Sequence, residues 1–346
     1  MRDWKGLGIY AIKRIFLMIV TFLIILTICF ILIRLLPLNP GSVAPGTDPD
    51  IFYDRMVALG RMYEENGEYY PTPIFEQYIR FWSDLFFPGI DPITGEEMSR
   101  FGYSWSINAS GVNPWDIMVQ RFPPTILINV YSMVIAVPIG ILLGIYMALK
   151  KNKWQDYTLS FLVMVFISVP SFVYALLIQT TNYALGQPLP SLVSSVEAPW
   201  VSWEMFQAMI LPVIAMSLGS VAGYSRYTRA ELTEVLTSDF MLLARTKGLT
   251  RFQATVRHAF RNSLVPIFPM ILGEFISVLS GSIVIEQVFS INGVGNVFLT
   301  SITQSDYDLF LFVGMFYTII GLVGGLIVDL SYGIVDPRIR MGGGKQ

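Results

Sequence analysis

Positions 15–33 are apolar throughout except for Thr21, Thr27 and Cys29, a run long enough to carry an α-helix across a hydrocarbon core of about 30 Å. Such a run has to be helical, because lipid offers the backbone no hydrogen-bond partner. Five more stretches repeat the pattern, at 125–149, 157–183, 205–224, 264–289 and 309–335. Pro138, Pro170, Pro212, Pro266 and Pro269 interrupt some of them, as kinks that neighbouring helices or Ser and Thr side chains can accommodate. The stretch 205–224, with Gln207, Pro212, Ser217 and Ser220, is the most polar of the six. The expected fold class is an all-α integral membrane protein with six transmembrane helices and a long extracytoplasmic segment between the first and second.

Composition agrees with this pattern, since 53% of the 346 residues are hydrophobic and only 14% are charged, where soluble domains carry about a quarter. The basic flank of the first run, Arg2, Lys5, Lys13 and Arg14, also suits a secretory signal. However, the run is longer than a signal core and leads into RLLPLNPG without a small-x-small cleavage site. Six spans put both termini on one side, and the excess of Lys and Arg marks that side as cytoplasmic. All the lysines then fall inside, at 5, 13, 150, 151, 153, 247 and 345. A dozen acids between Asp48 and Asp116 outnumber the outer arginines Arg34, Arg55, Arg61, Arg80, Arg100 and Arg121. The single Cys29 lies within the first span and leaves no internal disulfide.

The internal loop at 240–266, FMLLARTKGLTRFQATVRHAFRNSLVP, gathers Arg245, Lys247, Arg251, Arg257, Arg261 and the only histidine, His258, without one acid. Its cytoplasmic side accounts for the sign of the charge but not for the local pattern. Asp239 is a plausible N-cap for one short helix, and Gly248 stands where a left-handed residue would end it. Thr250 with Gln253 three positions on forms the capping-box pair that opens a second helix. On that helix Phe252, Val256, Ala259 and Phe260 share one face, while Arg251, His258 and Arg261 lie on another. An element held at both ends by membrane spans is poorly placed to enter a DNA groove. A lipid-surface helix and a docking element for a cytoplasmic protein both remain open on these grounds.

No stretch reads as a phosphate-binding P-loop, and the tail GGGKQ lacks the hydroxyl and the strand-to-helix context. With one His, one Cys and no metal-ligand spacing, no catalytic, cofactor or metal site is expected in this chain. Glu274 is the ionisable residue best placed to form a polar pathway wall, and the alternative is a carboxyl satisfied by a nearby Ser or Tyr. It adjoins the small-residue row Gly273, Ser277 and Gly281. Glu286 and Asp329 lie nearer span ends. The rows GILLG at 140–144 and GLVGG at 321–325 suit close helix packing. Phe75, Ile79, Trp82 and Phe86 recur at helical spacing, as in an interfacial helix. The sequon at Asn108 is a chance match by pattern.

The string ARTKGL, followed by His258, Arg261-Asn262 and Pro266, resembles the cytoplasmic coupling loop of permease subunits of dipeptide and oligopeptide ABC importers. GYS at 102–104, RFPPTI at 121–126, EQVFSINGVG at 286–295, Asp306 and DPRIR at 336–340 resemble other family segments, so the likeness runs over most of 100–340. The sequence departs at Leu242 and Leu243, where the broader loop begins E-A-A and only the last alanine, Ala244, is kept, and at Thr246. RLLPLNPG is also looser than the family's usual R-x-x-P-G-D-P. The resemblance implies a multi-pass cell-membrane subunit whose ATPase-coupling loop includes Ala244, Arg245, Lys247, Gly248, His258, Arg261 and Asn262. It implies an outer turn, at Gly293 and Gly295, that meets a binding protein. The implied partners are a second homologous permease, two ABC ATPases that use ATP and Mg, an extracytoplasmic substrate-binding protein, and membrane lipid; no nucleic acid is implied. The expected organisation is 1–36 for the N-terminus and first span, 37–124 outside, and 125–335 as a five-helix permease core with coupling loop 226–262. Residues 336–346 form a cytoplasmic tail. The alternatives are a gradient-driven transporter or channel using Glu274 or Asp329, and a non-transporting membrane scaffold.

Overall fold

The computed structural model describes residues 4–36, 48–91, 94–106, 111–255 and 259–335. The sequon at Asn108, His258 and the 336–340 motif lie outside the described residues. The chain opens with α1 (Trp4–Arg34), α2 (Pro49–Ala58), a hairpin of β1 (Met62–Glu65) and β2 (Glu68–Pro71), and α3 (Ile74–Phe86). It continues with α4 (Pro114–Leu149), α5 (Trp154–Ser168), α6 (Ser171–Ala184), α7 (Trp203–Leu236), α8 (Asp239–Thr246), α9 (Arg251–Ala254) and α10 (Phe260–Ser263). The last elements are α11 (Ile267–Ser277), α12 (Ile283–Val288), α13 (Val294–Thr303) and α14 (Tyr307–Val335).

Among the described residues, α1, α4, α7 and α14 are long and apolar enough to cross a membrane, and α5 with α6 makes a fifth crossing if the bent pair counts as one. Two expected spans are therefore not single helices. The stretch 157–183 turns through 100° at Val169, which is extended at φ −81°, ψ 127°, because a proline at 170 clashes with a helical residue before it. The stretch 264–289 breaks between α11 and α12, where Gly281 takes φ +67°. The most polar stretch, 205–224, lies instead within the 34-residue α7, which carries Pro212 in its interior.

Contacts divide the chain into two compact units, one of 1–16, 123–293 and 320–346 and the other of 17–122 and 294–319. In the larger unit, Ile128, Ala175, Ala208, Met209, Phe289 and Ile291 form the main buried cluster. The row at 140–144 does pack closely: a Cβ on Gly140 would meet Tyr224 Cβ at 2.6 Å and the Val221 carbonyl at 3.0 Å. One on Gly144 would meet Thr228 Cβ at 2.6 Å and the Ser225 carbonyl at 2.7 Å. Small residues let α4 and α7 approach backbone to backbone. In the row at 321–325 only Gly324 is tight, against Ile276.

In the smaller unit, the hairpin turns at Asn66-Gly67, with φ 55° and 82° between paired Glu65 and Glu68, the two-residue geometry that Asn-Gly favours. Helix α3 buries Gln77 and packs Tyr78, Phe81 and Trp82 beside Phe30 of α1. Its Phe75, Ile79 and Phe86 stay exposed, as an interfacial helix would leave them. Buried ion pairs and hydrogen bonds lie beside the unit's apolar clusters. Arg55 pairs with Asp91 at 2.9 Å, and Tyr103 donates its hydroxyl to the same carboxylate at 2.6 Å. Burial, with that bond, pushes the Tyr103 phenol up to about 12. Asp306 accepts from the Ser104 and Ser106 hydroxyls at 2.7 and 2.6 Å, yet its burial raises the carboxyl above the ordinary range.

Candidate functional site

Helix α7 ends where Thr237 and Ser238 fold their hydroxyls back onto the carbonyls of Glu234 and Val235, at 2.9 and 2.6 Å. Arg226 and Arg229 therefore belong to the last turns of α7. Asp239 is the first residue of α8 rather than the cap before it, a position where its charge still suits the helix dipole. Helix α8 closes with Lys247 N–H on the Leu243 carbonyl at 3.1 Å and Leu249 N–H on the Ala244 carbonyl at 3.4 Å. Between them Gly248 takes φ +91°, a conformation that costs an L-residue strain and glycine little. The chain restarts at once. Thr250 N–H donates to Gln253 Oε1 at 3.1 Å, and Gln253 N–H donates to Thr250 Oγ1 at 3.3 Å, the reciprocal pair read from the sequence.

The loop's apolar side is buried. Met241 of α8, Ala254 of α9 and Ala259 cluster with Ala148 of α4 and Leu232 of α7. Ala244 and Leu249 pack against that cluster together with Ile145 and Val235. The opposite side is open: Thr246, Lys247, Gly248, Thr250, Gln253 and Asn262 are exposed, next to Leu242 and Leu243 at 62% and 56% exposure. The described apolar residues of this seat thus cluster with two membrane-length helices, and the exposed edge mixes a cation, hydroxyls and leucines. His258 and the side chains of Arg245 and Arg261 lie outside the described residues.

Beside this seat, Arg229 forks onto Asp156 of α5, with Nε to Oδ1 at 2.5 Å and Nη2 to Oδ2 at 2.7 Å. Asp156 is 1% exposed and also accepts the Asn152 N–H at 3.1 Å. The readable signal was an acid opening an otherwise apolar helix, which calls for a cation nearby.

Glu274 belongs to a different part of the larger unit. Ser220 Oγ of α7 donates to Glu274 Oε1 at 2.8 Å, and the Tyr224 hydroxyl bonds the same side chain. The carboxyl faces a cavity of about 390 Å³ whose polar lining is Asn129, Ser132, Ser220, Ser277 and Ser280. Both readings of Glu274 therefore meet in one residue, a carboxyl satisfied by Ser and Tyr that also walls a polar cavity. Gly281 and Ser280, in the break between α11 and α12, border the same space.

Gly293 and Gly295 are both buried, while Asn292 between the neighbouring buried positions is exposed. A Cβ on Gly293 would run into Thr125 and the Glu286 carboxyl, which accepts from Thr125 Oγ1 at 3.0 Å. At this turn Gly293 serves packing, and the residue presented outward is Asn292. Asp329 pairs with Arg14 of α1 at 2.5 Å. No group of three or more potential metal ligands occurs among the described residues.

Comparison with known proteins gives these features a setting. The family described as the binding-protein-dependent transport system inner membrane component matches residues 140–341. The dipeptide transport system permease protein DppB of Bacillus subtilis (strain 168) is 34% identical over 336 residues, 96% of this chain and 98% of that one. The DppB of Lactococcus lactis subsp. cremoris (strain MG1363) is 32% identical over 332 residues, 96% and 99% of the two chains. The oligopeptide transport system permease protein OppB of Escherichia coli (strain K12) is 29% identical over 336 residues, again 96% and 99%.

Proposed function

Because the chain belongs to the family of binding-protein-dependent transport system inner membrane components, we propose that it is one half of the membrane pathway of an ATP-driven importer of di- or oligopeptides. Its partners in this reading are a second homologous permease, two ATPases that use ATP and Mg, and an extracytoplasmic substrate-binding protein. The chain itself is non-catalytic. It crosses the membrane six times with both termini cytoplasmic, counting the bent α5–α6 pair and the broken 264–289 stretch as one crossing each. Non-helical backbone is tolerated at membrane depth where it lines a cavity, and Ser280 and Gly281 border one.

The observation that carries this reading is the seat of the loop at 239–263, whose described buried apolar residues cluster with the ends of α4 and α7. An ATPase that grips the exposed edge around Lys247, Thr250 and Gln253 would displace α4 and α7 with it. The wall of the polar cavity on those helices, Asn129 and Ser132 on one and Ser220 on the other, would move in turn. This is alternating access driven from the cytoplasmic side. The gradient-driven alternative loses Asp329 as a free carboxyl, since Arg14 holds it.

The test is a crosslink. A Thr250→Cys substitution in a Cys29→Ser background places a thiol on an exposed position of the seat. With a short bifunctional reagent in native membranes it is expected to join this chain to an ATPase subunit. With the ATPase expressed and the thiol reactive, capture of no ATPase would overturn the coupling assignment.

Glu274→Gln keeps an acceptor for Ser220 and removes the charge from the cavity. Initial uptake rate is expected to fall about tenfold, the difference between a hydrogen bond to a charged group and one to a neutral acceptor, with the amount of assembled transporter unchanged. Unaltered uptake would leave Glu274 a purely structural carboxyl.

A further inference from the structure

Arg34, the last residue of α1, is 6% exposed in its side chain. A guanidinium carries five N–H donors and does not give up its charge. Here Nη2 reaches Asp308 Oδ1 at only 3.4 Å, the Cζ lies 5.1 Å from the Phe30 ring centroid, and Nε is buried without a partner. The same carboxylate is more closely held elsewhere: its Oδ2 takes Arg61 Nη1 and the Tyr103 N–H at 3.2 Å. Two buried guanidiniums therefore share one carboxylate. The nearby second acid, Asp306, is occupied by Ser104 and Ser106.

Arg34 lines a cavity of about 350 Å³, formed with Ile33, Leu36, Met62, Gln77 and Tyr307. A buried cation whose donors are incompletely satisfied is costly, and a tetrahedral or planar oxyanion matches the guanidinium fork. The depth of the site narrows the source. Arg34 terminates the apolar span Gly8–Arg34, so it stands at the level of lipid headgroups. Ile31, Leu32, Leu35 and Leu36 are exposed around it at 41%, 59%, 65% and 50%, an apolar surface against which acyl chains can lie.

We propose that this pocket holds the phosphate of a phospholipid headgroup, with Arg34 as its principal ligand and the adjacent leucines and isoleucines covered by the acyl chains. The lipid ties the end of α1 to the hairpin and α3 by accepting from the Arg34 donors that Asp308 leaves open. Nothing in this assignment depends on which substrate the transporter carries.

The assembled transporter, stripped of lipid in detergent, is titrated with phosphatidylglycerol, with uncharged diacylglycerol and with inorganic phosphate. Native mass spectrometry counts bound lipid and thermal unfolding gives Tm. Wild type is expected to retain one phosphatidylglycerol that Arg34→Gln does not, and to gain about 4 °C or more at a hundred-fold excess over Kd. Leu36→Glu, which places a negative charge at the exposed mouth and leaves Arg34 and Asp308 in place, is expected to lose the same lipid. Equal lipid retention by either folded variant would overturn the assignment. So would an equal Tm gain from diacylglycerol, and a gain from inorganic phosphate that matches the lipid would overturn the lipid source.

Discussion

Gly248→Val is expected to abolish peptide uptake while the chain still inserts into the membrane in normal amount. At φ +91° an L-residue pays about 1–2 kcal/mol for the left-handed region, and a β-branched one pays more because its side chain crowds the backbone on both sides. The strain is conformational and not steric, because a Cβ at this position meets nothing within 4 Å. Valine would therefore relax the turn and swing α9 away from α8. It would pull apart the Thr250–Gln253 pair and the seat on Leu232 and Ala148. Asparagine, which tolerates positive φ better, is expected to keep part of the activity. Uptake of labelled dipeptide by cells, read beside the amount of membrane-inserted chain, checks both. Normal transport by the valine variant would remove Gly248 as the pivot of the loop.

Arg229→Ala is expected to destabilise the larger unit by about 1–3 kcal/mol, because it leaves the Asp156 carboxylate without its cation while the Asn152 N–H bond remains. The double variant Arg229→Ala with Asp156→Ala removes both charges and is expected to recover most of that loss, which distinguishes an uncompensated charge from a lost packing contact. Thermal unfolding of the purified transporter measures the difference. A single variant as stable as wild type would mean that Asp156 finds another cation or water, and that the α5–α7 tie is not set by this pair. Since Arg229 lies one turn before Leu232, the loosening is also expected to reach the seat of the loop at 239–263.

Much of the loop at 239–263 was legible in advance because its structure is local. A glycine ending one helix and a Thr-x-x-Gln pair opening the next act within four or five residues, so the bonds at 250 and 253 and the positive φ at 248 follow from neighbours in sequence. The spans α1, α4, α7 and α14 were legible for a related reason: an apolar run of sufficient length has one low-energy conformation in lipid. The Asn66-Gly67 hairpin was equally local, and the turn dipeptide between Glu65 and Glu68 was the signal that went unused.

The remainder depended on which helix lies beside which. Sequence spacing marked 140–144 as a close-packing row, but only the partner backbone of α7 shows why a side chain there has no room, and why the similar row at 321–325 is tight at Gly324 alone. Glu274 was recognisable as an intramembrane carboxyl, whereas its hydrogen bonds come from residues fifty positions earlier. The family resemblance placed Gly293 and Gly295 at an outer turn, and only the packing of Glu286 and Thr125 around Gly293 shows that this glycine is buried. The pairs Asp156–Arg229 and Arg34–Asp308 join residues 73 and 274 positions apart. Hydrophobic length and local capping act along the chain and can be read from it, while charge pairing, cavity lining and close packing are settled by distances that only the folded chain creates.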